Sequence, residues 1–199
     1  MKKLCCLLLS VLLFCLTGCS GYPERAADGT EWDRDWTLLG SVLGVEAPGD
    51  GLVFLDNNPI LTGDDLYYAT WAVGEPTTYT NEDGDEVDLY SAQLYLLLCG
   101  CSDSSFAQQT MEEWIQKEED TYTVSETRTE TRNGQEYTIL IYECGSETNP
   151  YSRGAAAFAT YGNYAVSAEL ACQENYSGQA AEVLMRFLDG CHYSAELKE

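Results

Sequence analysis

The first pattern along the chain is an apolar run from Leu4 to Leu16, preceded by Lys2 and Lys3 and followed by Thr17, Gly18 and Cys19. The run is too short for a bilayer-spanning helix, which takes about 20 apolar residues. A basic start, a short apolar stretch and small residues after it mark a secretory leader, 1–18, absent from the mature protein. Ser20 to Asp35 is polar and rich in Gly, Asp and Glu. With Cys19 it reads as a flexible tether, 19–35. A single α+β domain, 36–199, follows.

Within the domain, Thr37 to Val45 predicts a strand or hairpin and Leu52 to Leu55 a short strand, separated by the turn cluster Pro48-Gly49-Asp50-Gly51. Asp56 to Asp65 reads as loop. Leu66 to Val73 is a strand rich in aromatic residues, broken at Gly74-Glu75-Pro76. Thr77 to Tyr79 continues the pairing toward the loop Asn81 to Glu86. Val87 to Cys101 contains LYLLLC, apolar over strand length, and predicts a central strand buried on both faces.

Ser105 and Gln108 have the capping-box spacing, and Phe106, Ala107, Met111, Trp114 and Ile115 form an apolar stripe at helical period. Lys117 to Asp120 ends that helix, and its acidic residues oppose the negative end of the helix dipole, predicting a frayed last turn. Thr121 to Arg132 alternates, with Glu126, Arg128, Glu130 and Arg132 on one face. Asn133-Gly134 returns it through a type I′ turn into Gln135 to Cys144. The charged strand belongs at a sheet edge. Gly154 to Cys172 forms another hairpin, turning at Gly162-Asn163. Its stretch Ala155 to Ala159 is small enough for a helix or second sheet to approach closely. The closing helix, Gly178 to Asp189, gathers Ala180, Val183, Leu184, Phe187 and Leu188 on one face, with Gly190 as its left-handed cap.

Charge changes the picture of partners. The chain has 10 Lys+Arg against 33 Asp+Glu, net −23; without Lys2 and Lys3 the mature chain stands at −25. Nucleic acid is excluded as a partner for want of a basic footprint. Anionic lipid does not attract such a surface either, so an acyl anchor has to hold it at a membrane. With 45% hydrophobic residues and 14 Tyr the chain builds a core and is not a disordered acidic segment.

Leu16-Thr17-Gly18-Cys19 resembles the lipobox of bacterial lipoproteins. The resemblance implies a diacylglyceryl thioether on Cys19, cleavage after Gly18, and attachment to the extracytoplasmic side of the cell membrane. Two acyl chains suffice for a stable anchor, at about 0.8 kcal/mol per buried methylene. Cys5, Cys6 and Cys15 leave with the leader. Cys99, Cys101, Cys144, Cys172 and Cys191 remain, an odd number. They lie in apolar runs, where Cys packs as a small hydrophobe. Secretion permits disulfides, and the bridge expected, where one forms, is Cys172–Cys191, tying a strand to the last helix.

The order of elements resembles the Mog1/PsbP-like α/β/α sandwich over Trp36 to Tyr193. The helix ending at Trp114-Ile115, NGQEYTILIYE and AAEVLMRFL carry the resemblance. It implies a central, mainly antiparallel sheet with two main helices, and a fold that hosts partner binding by a non-catalytic surface. In detail the chain also resembles lipoproteins of gut-type anaerobic bacteria.

No residues make a catalytic or cofactor-binding pattern. His192 is the one histidine, no Gly-x-Ser-x-Gly elbow accompanies it, and it reads as a surface or cap residue. Cys99, Cys101, Cys144 and Cys172 could compose a thiolate metal site, but paired Cys-x-x-Cys knuckles are missing. Asn81 to Asp88 is acidic, yet its spacing departs from a calcium loop and fits a solvated hairpin tip. Phosphate-cradling loops are absent. Tyr67, Tyr68, Trp71, Tyr79, Tyr90 and Tyr95 suit either a binding platform or an ordinary sheet face. The sequence leads to a membrane-anchored lipoprotein that recognises a protein or envelope component without catalysis. A small-ligand carrier or an enzyme, and a cysteine-based redox or metal protein, are the other classes.

Overall fold

The computed structural model describes residues 26–27, 29–33, 35–56, 66–80, 84–145 and 149–195. The leader, Cys19 and residues 57–65 and 81–83 lie outside them, and with these the greater part of the expected loop Asp56–Asp65 and the start of the acidic loop. In chain order the elements are β1 (Thr37–Leu39), β2 (Leu43–Val45), β3 (Leu52–Asp56), β4 (Leu66–Val73), β5 (Thr77–Thr80), β6 (Glu86–Leu89) and β7 (Ala92–Gly100). Then come α1 (Ser104–Thr121), β8 (Thr123–Arg132), β9 (Gln135–Glu143), β10 (Arg153–Tyr161), β11 (Tyr164–Cys172), α2 (Ala180–Asp189) and β12 (Cys191–Tyr193).

The fold is an α+β sandwich. Seven strands form the central sheet in the order β3-β4-β7-β11-β10-β9-β8, with every neighbouring pair antiparallel. Helix α1 covers one face over β10 and β11. Helix α2 and a small sheet, β1-β2-β12, cover the other. β5 and β6 make a separate hairpin.

The two faces follow from side-chain alternation along each strand. On the α2 side, Leu94, Leu96 and Leu98 of β7, Ile139 of β9 and Leu170 of β11 meet Val183, Leu184 and Phe187 in one buried cluster. Trp71 sits edge-on to Phe187 at a ring separation of 5.0 Å. Each such side chain contributes roughly 1.5–3 kcal/mol when fully buried. On the α1 side a smaller cluster of Leu140, Tyr142, Ala156 and Phe158 packs against Met111, Trp114 and Ile115.

Several elements stand where the sequence places them. Asn133 and Gly134 both have positive φ, 47° and 75°, as the type I′ turn requires, and β8 is an edge strand. β10 is the strand buried on both faces, because its alanines let both helices come close.

Other elements differ from expectation. β7 is buried on its α2 face only; on the other, Tyr95 is 40% exposed, because α1 does not reach it. Helix α1 is capped by Asp103, which accepts from the N–H groups of Ser105 and Phe106 at 2.9 and 3.0 Å, so Ser105 is inside the helix and the capping box is not used. Its last turn is formed: Thr121 Oγ1 donates to Lys117 O at 2.6 Å and Tyr122 N to Glu118 O at 2.9 Å. Gly190 has φ −91° and is no left-handed cap; its N–H bonds Phe187 O and sends the chain straight into β12.

The expected tether 19–35 is shortened. From Ala26 the chain is docked: Ala26 is 2% exposed and bridges Ser194, and Trp32 and Trp36 lie over Gly44 of the small sheet. A Cβ on Gly44 would stand 2.8 Å from the Trp36 ring. Apolar indole burial outweighs the acidic character of the segment between them.

Gly154 is a second close approach. It pairs opposite Tyr142, and a Cβ there would overlap the Tyr142 ring and lie 2.7 Å from Leu170 O. Gly154→Ala is expected to destabilise the domain by about 1–3 kcal/mol, the usual cost of overpacking, measured by urea unfolding; an unchanged midpoint would contradict this packing.

Candidate functional site

The inward stripe of α1 runs Ala107, Met111, Trp114 and Ile115, and its next inward position is Glu118. A carboxylate there falls over the sheet. The residue beneath is Glu169, the one charged residue of β11, in register between Tyr95 of β7 and Ala156 of β10. Tyr142, lying across Gly154, donates its hydroxyl hydrogen bond to Glu169 Oε1. Tyr122, at the C-terminus of α1, stacks on Tyr142 at 4.3 Å with the rings 8° from parallel.

Desolvation dominates the electrostatics. It pushes Glu118 up to about 7, with the Glu169 charge adding to the effect and Lys117 opposing it. It also raises Glu169, against the Tyr142 hydrogen bond and Lys117. Burial and the neighbouring Glu169 raise Tyr95 and Tyr122 to about 12 and the Cys144 thiol to about 11. Glu118 Oε2 is buried with no hydrogen-bond partner. The cluster therefore presents protonated hydroxyls and a carboxyl pair that holds a proton well above the ordinary range.

Beside the cluster is an open cleft of about 650 Å³, lined by Cys144, Asn149, Pro150, Ser152, Gln173, Glu174 and Asn175. Its walls are the segment after β9 and the segment after β11. Cys144 N donates to Ser152 O at 2.8 Å and Ser152 N to Cys172 O at 2.9 Å, fixing one to the other. Gln173 is held by Tyr90 O at 2.7 Å. Tyr151 reaches Gln93 at 2.8 Å. Amides, a hydroxyl, a thiol and a carboxyl line this end; Arg153, next to Ser152, donates to Tyr176 O and Gly178 O.

The residues singled out in the sequence are dispersed. Of the aromatic platform only Tyr95 joins the cluster; Trp71 is core and Tyr67 packs against it. His192 is not a surface residue. It is 7% exposed, stacks on Trp36 at 4.6 Å and shares a 2.8 Å hydrogen bond between Nε2 and Glu46 Oε1. The expected Cys172–Cys191 bridge is not formed. Both are free buried thiols; Cys191 Sγ turns to Phe187 O at 3.7 Å, while Cys172 ends a strand of the other sheet. The four cysteines of a thiolate site are not gathered either, since Cys172 packs into the α2 side and Cys144 into the α1 side. Cys101 instead lies 3.6 Å from Thr110 Oγ1. Cys19 lies outside the described residues. Glu118, Tyr142 and Glu169 carry no motif; the one signal is a lone carboxylate inside the apolar strand SAELAC.

No family model matches the sequence, and no curated protein matches it. Among solved structures the chain is similar to the solution structure of cyanobacterial PsbP (CyanoP) from Synechocystis sp. PCC 6803, at 11% identity and a TM-score of 0.38, covering 74% of this chain and 97% of that one. A likeness of this degree says nothing of function.

Because Glu118 is raised in the folded state, its stabilising contribution is complete below about pH 4.5 and is lost as pH rises through 7. Glu118→Gln is expected to leave the melting temperature near wild type at pH 4.5 and to raise it at pH 8. The gain there is about 1 kcal/mol, allowing for solvent screening of a half-exposed side chain. Thermal melts across pH check this; parallel wild-type and variant curves would refute it.

Proposed function

We propose that the protein is a lipoprotein anchored through Cys19 to the extracytoplasmic face of the cell membrane, and that it recognises a protein or envelope component without catalysis. The observation that supports this most is the open cleft at one end of the sheet, lined by the amides of Asn149, Gln173 and Asn175, the Ser152 hydroxyl and the Glu174 carboxyl, beside the Tyr142–Glu169 cluster. Such a lining offers many hydrogen bonds and no positive charge. It suits a neutral or cationic ligand rich in hydroxyl, amide or amine groups, and disfavours phosphate. An open cleft grips part of a larger molecule, whereas a carrier of small molecules encloses its cargo.

Two experiments test the two halves of this reading. Cys19→Ala should abolish incorporation of labelled palmitate and release the protein from the membrane fraction; retention of both would refute the anchor. In calorimetric titrations, soluble cell-wall glycopeptide fragments or a lysine-rich peptide should bind the wild-type protein. Glu174→Arg should weaken binding by about tenfold or more, the loss expected for a hydrogen bond to a charged group. Absence of binding by either ligand, or equal affinity in the variant, would remove the cleft as the recognition site.

A further inference from the structure

The chain leaves the anchor and enters the domain at one end of the central sheet. Ala26 bridges Ser194, Ala27 N donates to Tyr193 O, and Tyr161 OH donates to Ser194 O. Tyr161 is the last residue of β10, beside the hairpin at Gly162. The cleft is at the other end of the same strands: Arg153 opens β10 opposite Cys172, and Ser152 and Gln173 line the opening. The nine residues of β10 put about 27 Å between the two ends.

Only six residues, Ser20 to Arg25, separate Cys19 from the docked Ala26. Fully extended, that connection reaches about 25 Å. For the cleft to turn onto the bilayer, the tether would have to climb the full height of the sheet and the loops beyond it. It is too short for that. We infer that the protein is held in one polarity, with the small sheet and the β10–β11 hairpin toward the lipid and the cleft facing away from it. The partner is therefore a non-lipid component beyond the headgroup layer. The inference rests on the anchor at Cys19.

The full lipidated chain, reconstituted into phosphatidylcholine vesicles containing a small fraction of rhodamine-labelled lipid, tests it. A donor dye is attached through p-azidophenylalanine in place of Ser102, at the hairpin end, or of Glu143, at the cleft end; both positions are exposed. Energy transfer to the lipid acceptors should be higher from 102 than from 143. A flexible Gly/Ser linker of about 20 residues inserted between Arg25 and Ala26 extends the reach well past the sheet height and should bring the two values together. Equal transfer with the native tether, higher transfer from 143, or a difference unchanged by the linker would overturn the polarity. Vesicle flotation reads the anchor separately. A protein that floats with equal transfer at both sites loses the polarity alone, whereas flotation undiminished by Cys19→Ala overturns the anchor and the polarity with it.

Discussion

The structure depends on how little room β10 occupies. From Gly154 to Ala159 every residue is buried, and all but Phe158 are glycine or alanine. Ala155, Ala157 and Ala159 face the α2 layer, while Ala156 and Phe158 face α1. A strand of ordinary β-branched residues would hold both helices farther out. Close packing would then fail on two faces at once, because interiors fill space at crystal-like density and cannot absorb a displaced layer. Gly154 extends the same constraint to a ring: Tyr142 occupies the volume that a Cβ would fill.

The polar cluster follows from that geometry. Tyr142 laid across Gly154 brings its hydroxyl to Glu169, and Ala156 beside Glu169 leaves space above the carboxylate. Glu118 then closes over it from the helix. A designer of a stable core would not choose two carboxyls here, since burying either as an anion is costly and one Glu118 oxygen lacks a partner. Glu169 is offset by the Tyr142 hydrogen bond, and Tyr122 fastens the end of α1 to the same ring by stacking. The helix end is thus held by aromatic contact while its charge is held against it. Such a balance of packing and electrostatic opposition is typical of a site kept for something other than stability.

Much of the framework is legible in the sequence. Asn133-Gly134 and Gly162-Asn163 mark both hairpins because their backbone demands are local, and the alanines of β10 announce close approach by size alone. What failed was decided by distant partners. LYLLLC looks doubly buried, yet whether its second face is covered depends on where α1 lies, and no local pattern says that α1 stops at β11. Asp103 took the cap from Ser105 because the helix begins two residues earlier than the capping box allows. Ser20 to Asp35 reads as tether by composition, and only the tertiary seat over Gly44 shows that its tryptophan, Trp32, belongs to the domain with Trp36. Glu169 was visible as an exception in an apolar strand, but its meaning needs Glu118, 51 positions earlier in the sequence, and Tyr142.

The two ends of the described chain close one another. Thr37 to Leu39, Leu43 to Val45 and Cys191 to Tyr193 form the small sheet, in which the C-terminal strand β12 pairs with β2 of the N-terminal hairpin. His192 is the joint: Trp36 stacks on its ring and Glu46 bonds its Nε2, so first and last elements meet on one side chain. This accounts for the burial of the histidine. It also ties the tether to the core, because Tyr137 and Tyr193 join their hydroxyls at 2.9 Å inside the α2 layer. A pull on residue 26 is therefore borne by β12 and the central sheet together rather than by a frayed arm. A domain seated this way keeps its shape when it is held from one end, which a recognition surface at the other end requires.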